Sequence, residues 1–128
     1  MIVGLHHVHV ICGNVEEAAE FFKDFFEAEE LYRGILGGRA FVRIGVKGLI
    51  INMTETDPEA GMLEPGQGSR GLDHISFRVD DMDRVLEHIR KKRVKIVKGP
   101  AVSETGSQYV FIQGPEGMWI ELMKPKPQ

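Results

Sequence analysis

The chain has 128 residues, 42% of them apolar and 27% charged, with a formal net charge of −3. That length supports one domain with a real core, whereas either half alone is short for one. There is no basic stripe for a nucleic-acid backbone, no apolar stretch long enough to span a bilayer, and with Cys12 as the single cysteine no intrachain disulfide. Nucleic acid and membrane are therefore not expected partners. Met1 to Val10 lacks a charged leader ahead of an apolar block, and a lone cysteine suits a reducing compartment, so the expected location is cytoplasmic.

In chain order, the sequence opens on an alternating run, Leu5-His6-His7-Val8-His9-Val10, that reads as a strand. Asn14 follows as a helix N-cap with Glu17 three residues on, as in a capping box, and Val15, Ala18, Ala19, Phe22 and Phe26 form an apolar stripe. Three strand-like runs come next, at about 29–34, 39–46 and 48–53, separated by Gly37-Gly38 and by the turn from Gly45 to Gly48. The longest break, Thr54 to Arg70, carries Gly61, Pro65, Gly66 and Gly68 and reads as a linker. A second histidine run, Gly71-Leu72-Asp73-His74-Ile75-Ser76-Phe77, leads to a helix capped by Asp80 or Asp81, with Met82, Val85, Leu86 and Ile89 as its stripe. Lys91, Lys92 and Arg93 read as its solvated end. Runs at about 94–98, 107–113 and 117–124 complete the pattern, with Gly114-Pro115-Glu116-Gly117 as the last turn.

The order is βαβββ, twice, an α+β pattern. Gly4-Leu5-His6-His7 returns 67 positions later as Gly71-Leu72-Asp73-His74, with the glycine, the leucine and the last histidine matched. The expected organisation is a single domain with module 1 at about 1–54, a linker at about 55–70 and module 2 at about 71–128. Period-two alternation assigns the faces. Val8 and Val10 point to the helix side, with His7, His9 and Ile11 opposite; Ile75 and Phe77 pack under the second helix, with His74, Ser76 and Arg78 opposite; in the closing strand Ile120 and Leu122 point inward, with Trp119, Glu121 and Met123 opposite.

The face away from the helices thus carries His7, His74 and Glu121. Taken singly, each reads as a polar side chain on a half-solvated sheet. Jointly they read differently, because both histidines hold one module position and a carboxylate closes the set. Two imidazoles and a carboxylate suit a divalent first-row metal and leave positions open for a small-molecule substrate. Counting four residues on from Gly117 gives Glu121, and four on from Gly48 gives Asn52. Asn52 is accordingly a fourth-ligand candidate, or else an amide that supports the ligands. His9 shares the face of His7 as a possible substrate or acid–base group.

Three phrases carry a resemblance to a known superfamily: Leu5-His6-His7-Val8-His9-Val10 before a helix ending Phe25-Phe26; Gly71 through Val79-Asp80-Asp81; and Gly114-Pro115-Glu116-Gly117-Met118-Trp119-Ile120-Glu121-Leu122. Over nearly the whole chain the sequence resembles the vicinal-oxygen-chelate superfamily of glyoxalase I, bleomycin-resistance proteins, extradiol dioxygenases and methylmalonyl-CoA epimerase. The resemblance implies two tandem βαβββ modules forming a cupped mixed sheet with helices on the outer face. It also implies a metal inside the cup, with His7, His74 and Glu121 on the ligand positions. Asn52 falls where glyoxalase I and the epimerase have Glu or Gln; it is shorter and neutral, which leaves a two-histidine, one-carboxylate set of the extradiol kind. Arg43 stands where the epimerase has a catalytic glutamate, and a cation cannot abstract a proton. It is instead a candidate to hold an anionic substrate group.

Three functions compete. The first is a metal-dependent lyase or isomerase of glyoxalase type, acting on a small carbonyl or thioester substrate through a metal-stabilised enediolate, with Ni, Co, Zn or Mn as cofactor and Glu121 as the catalytic proton shuttle. The second is an Fe(II) extradiol-type dioxygenase. The third is a metal-free binding or resistance protein. A fosfomycin-modifying thiol transferase shares the ligand set, but its phosphonate-contacting serines are not in register around Ser103 to Tyr109. A homodimer is expected, because exposed sheet edges favour pairing.

Overall fold

The computed structural model describes residues 1, 5–62, 65–66 and 72–127. Gly4 and Gly71, which open the two copies of the repeat, lie outside the described residues, as does most of the second half of the linker. The chain divides into two compact units, Met1–Met62 and Leu63–Gln128.

The first unit runs β1 (Val8–Cys12), α1 (Val15–Phe26), β2 (Glu29–Leu36), β3 (Arg39–Val46) and β4 (Leu49–Glu55), in the sheet order β1-β4-β3-β2. β1 pairs with β4 in parallel and the other pairings are antiparallel, so the sheet is mixed. α1 begins where the capping box placed it: the Asn14 side chain accepts from the Glu17 N–H at 3.0 Å. It ends at Glu27, a left-handed residue whose N–H donates to the Phe22 carbonyl. The predicted stripe is buried with Phe25 added, and α1 lies on β3 and β4. Val42, Ile44 and Val46 from β3 and Ile51 and Met53 from β4 meet it with at most 1% exposure. Cys12 at the end of β1 is fully buried as a small hydrophobe.

The second unit repeats the plan with β5 (His74–Arg78), α2 (Met82–Lys92), β6 (Ile96–Val102), β7 (Gln108–Gln113) and β8 (Trp119–Lys124), in the order β5-β8-β7-β6. Asp81 is the cap, accepting from the Arg84 N–H at 3.1 Å. Met82 and Ile89 are buried on α2, and Val110, Ile112, Ile120 and Leu122 form the core face of the sheet. His88 on α2 is half-buried.

Strand limits differ from the reading most clearly at β6, which continues through Gly99-Pro100 to Val102 instead of ending near 98. Two register shifts, at Ile96/Lys98 and Lys98/Ala101, absorb these strand breakers. β6 is an edge strand, where a proline costs no ladder bond. No helix among the described residues is long and apolar enough to cross a membrane.

Candidate metal centre

The ladders fix which side chains share a face. In the second unit His74 stands opposite Trp119, and Ser76 opposite Glu121, which in turn faces Phe111 on β7. These positions lie away from the core set Ile75, Phe77, Ile120 and Leu122, as alternation predicts. Parallel pairing of β5 with β8 therefore brings the imidazole of His74 and the carboxylate of Glu121 to one place. His74 Nε2 lies 3.7 Å from Glu121 Oε1, too far for a hydrogen bond between them. Two ligands bound at the usual ~2.0–2.2 Å to one ion stand about 3–3.5 Å apart, so the spacing is close to that of a ligand pair.

The imidazole is held from behind. His74 Nδ1 donates to Asp73 Oδ2 at 2.8 Å, which leaves the Nε2 lone pair toward Glu121. The other oxygen of Asp73 accepts the Gly66 N–H at 3.0 Å. These two bonds, the His74 bond first, hold the Asp73 carboxyl below the ordinary aspartate range. Gly66 has φ +74°, and a Cβ there would run into the Trp119 indole, so the 65–66 turn fits over Trp119 only as glycine. Phe111 meets the His74 ring edge-on, with centroids 4.9 Å apart and an interplanar angle of 89°. Trp119 lies 5.5 Å from Phe111 and Tyr109 5.7 Å, so an aromatic wall borders the pair.

The first unit carries the counterpart positions. His9 stands opposite Asn52, as Ser76 stands opposite Glu121, and Arg43 faces Asn52 as Phe111 faces Glu121. The register thus equates Asn52 with Glu121. Asn52 is 5% exposed, and its Oδ1 accepts from Arg43 Nε at 2.7 Å. His9 Nε2 is 2.8 Å from the Thr54 hydroxyl. β1 begins one residue after His7, which is exposed and lies against His6, with the two Nδ1 atoms 2.9 Å apart.

Of the residues singled out in the sequence, the structure brings together His74 with Glu121, and Arg43 with Asn52. Among the described residues no group of three or more His, Cys, Asp or Glu side chains is gathered as a metal cage. The donors at His74 and Glu121 fit a divalent cation in chemistry and spacing, with a second carboxylate fixing the histidine tautomer. Asp73 was missed because neighbours in a strand point to opposite faces. It escapes that rule by preceding β5, and its adjacency to His74 was the available signal.

A family model described as the Glyoxalase/Bleomycin resistance protein/Dioxygenase superfamily matches residues 4–122. The uncharacterized protein YwkD of Bacillus subtilis is 21% identical over 125 residues, covering 95% of this chain and 97% of YwkD. The 4-hydroxyphenylpyruvate dioxygenase of Danio rerio is 27% identical over 121 residues, 87% of this chain but 30% of that enzyme. Among solved structures, the fosfomycin resistance protein FosX of Listeria monocytogenes superposes with a TM-score of 0.80 at 21% identity, covering 98% of this chain and 96% of FosX. A FosX mutant in complex with Mn(II) and 1S,2S-dihydroxypropylphosphonic acid gives 0.74 at 21% identity, over 98% and 93% of the chains. A glyoxalase family protein of Enterococcus faecalis gives 0.82 at 17% identity, over 94% and 96%. At these identities the structures show a shared fold.

Proposed function

Because the chain belongs to the glyoxalase/bleomycin resistance protein/dioxygenase superfamily, we propose that it is a metal-dependent enzyme of glyoxalase type. In this reading it is a lyase or isomerase acting on a small carbonyl or thioester substrate, with His7, His74 and Glu121 as protein ligands. The observation that carries the reading is the His74–Glu121 pair, 3.7 Å apart, with Asp73 tied to the far side of the imidazole. A divalent cation held there (Ni, Co, Zn or Mn) supplies Lewis-acid polarisation of a substrate oxygen, lowering the cost of charge that develops when a neighbouring C–H loses its proton. The chain's own groups do the rest. Asp73 keeps His74 in the tautomer with Nε2 available, and Glu121 accepts and returns the proton. Phe111 and Trp119 border the pair with apolar surface. His9 and Arg43 contact substrate from module 1. Among the described residues the edge strands β1, β2, β5 and β6 have one partner each within their own sheets, which supports a homodimer. The enzyme is cytoplasmic in this reading.

The test is turnover of hemithioacetals and acyl thioesters by protein loaded in turn with Ni(II), Co(II), Zn(II) and Mn(II). The reading predicts turnover in at least one form, abolished by Glu121→Gln; no turnover in any form overturns it.

A second reading, an Fe(II) dioxygenase, is favoured by one observation. The Arg43 bond to Asn52 Oδ1 places a cation beside the fourth candidate ligand, which leaves the two-histidine, one-carboxylate set of non-haem Fe(II) oxygenases. Oxygen uptake by the Fe(II) form with catecholic substrates supports this reading, and its absence across a catechol panel removes it.

A further inference from the structure

Four side chains form a row across the sheet of the first unit, on the face away from α1. In register they are His9 on β1, Asn52 on β4, Arg43 on β3 and Tyr32 on β2. Arg43 is half-buried. Its Nε donates to Asn52 Oδ1 at 2.7 Å, and its guanidinium carbon lies 5.6 Å from the centroid of the Phe41 ring. Tyr32 lies 5.8 Å from Phe41, and the missing side chain at Gly34 makes room for it, since a Cβ there would fall 2.8 Å from the Tyr32 hydroxyl.

The acceptor that fixes Arg43 is neutral. Among the described residues Arg43 makes no ion pair, in contrast to Arg33 and Arg90, which are paired with glutamates. The half-buried guanidinium is therefore not matched by an acid, is held in one orientation by an amide and a ring, and makes no hydrogen bond from its two terminal nitrogens to another described residue. Leaving such a charge uncompensated is costly, and the terminal edge of a guanidinium matches the two oxygens of a carboxylate or phosphoryl group. The duplication sharpens the point. Where module 2 has an acid, Glu121, its β7 neighbour is the apolar Phe111; where module 1 has the neutral Asn52, the β3 neighbour is the cation Arg43.

We propose that the Arg43–Asn52 pair, set on Phe41 and flanked by Tyr32, is a binding site for the oxyanion group of a small molecule, a carboxylate or a phosphoryl group. Module 1 then recognises the anion, while His74 and Glu121 of module 2 serve the metal. The site names a substrate class for the proposed enzyme but rests on module 1 alone. Its test uses metal-free protein, so its failure and that of the metal reading are separate results.

The experiment follows the Arg43 Nε–H resonance by NMR while sodium acetate or inorganic phosphate is added to EDTA-treated protein at constant ionic strength. A saturable shift with either anion is expected, and the anion that saturates assigns the class as carboxylate, phosphoryl or both. Backbone resonances of β3 and β4 report the same event in variants that lack the guanidinium. Arg43→Met is expected to abolish saturation. Arg43→Lys, which keeps the charge but loses the fork, is expected to weaken binding by about tenfold. Asn52→Asp, which keeps the shape of the acceptor but neutralises Arg43 from within, is expected to weaken it at least as much, and it decides the matter if Arg43→Met fails to fold. No saturable shift with either anion, or equal binding by wild type and Asn52→Asp, overturns the proposal.

Discussion

Asn52 and Glu121 stand at one register position in the two modules, yet Asn52 is bonded to a cation and Glu121 faces an aromatic ring and a histidine. Duplication supplied two equivalent places on two mixed sheets, and the residues now there have opposite electrostatic surroundings. The carboxylate next to His74 is suited to a cation. The amide next to Arg43 is suited to orienting a positive charge, not to sharing a metal with it. This division is the basis for reading Glu121, rather than Asn52, as the carboxylate-type ligand of the proposed metal.

In the proposed metal site Asp73 acts only through His74, to which it is hydrogen-bonded. Asp73→Ala is expected to lower affinity for Co(II) by about 10–100-fold, with Asp73→Asn intermediate, because the imidazole loses the acceptor that fixes its tautomer. Competition titration with a metal indicator measures this, and unchanged affinity in both variants contradicts the role given to the Asp73–His74 bond.

The 65–66 turn is tied to the same carboxylate and seats on Trp119. Gly66→Ala puts an L side chain at φ +74° and into the indole, so the turn must open. Trp119 is the only tryptophan of the chain, so its emission reports this directly. A red shift in the variant is expected; an unchanged spectrum shows that the turn is not seated there in solution.

Much of this arrangement was legible in the sequence, and the reasons are local. Asn14 with Glu17 located the start of α1, and alternation in Val8–Cys12 and Trp119–Lys124 assigned the core faces that the ladders show. Equivalence of Asn52 and Glu121 followed from counting four residues past matched glycines. What was not legible depends on cross-strand partners: that Arg43 lies opposite Asn52, that Phe111 meets His74, and that β6 runs through Gly99-Pro100 by shifting register. Strand pairing is a long-range choice, and one residue of slip would have reversed each face.

Phe22 carries the aromatic core under the first sheet, with no exposure and ring neighbours Phe21 at 5.3 Å and Phe26 at 5.8 Å. Phe22→Ala is expected to destabilise the protein by about 3–5 kcal/mol, because β3 and β4 cannot collapse into the space left. Urea denaturation of the variant, compared with the exposed-site control Glu20→Ala, measures it; a loss below about 1 kcal/mol contradicts the packing described.

A surface network joins Glu16, Arg33, Glu30 and Lys23, with Arg33–Glu30 at 2.7 Å and Lys23–Glu30 at 3.1 Å. The bonds from Arg33, then Lys23, lower the Glu30 carboxyl from 4.5 to about 2. A depressed carboxyl stabilises the fold fully above its unfolded value and loses that contribution as the pH falls through its folded value. Wild type should therefore lose stability between about pH 4.5 and 2 more steeply than Glu30→Gln, an effect that salt reduces. Thermal melts across that range test this; parallel curves for the two proteins contradict it.

The central claim is that His7, His74 and Glu121 hold one divalent metal ion, and elemental analysis of the purified protein tests it most directly. Wild type should carry near-stoichiometric metal, with loss in each of His7→Ala, His74→Ala and Glu121→Ala; nickel, cobalt, zinc or manganese agrees with the lyase or isomerase, and iron with the dioxygenase. Absence of metal after reloading with Ni(II), Co(II), Mn(II), Zn(II) or Fe(II), or full retention in the His74→Ala and Glu121→Ala variants, contradicts the account and returns the chain to the metal-free binding reading.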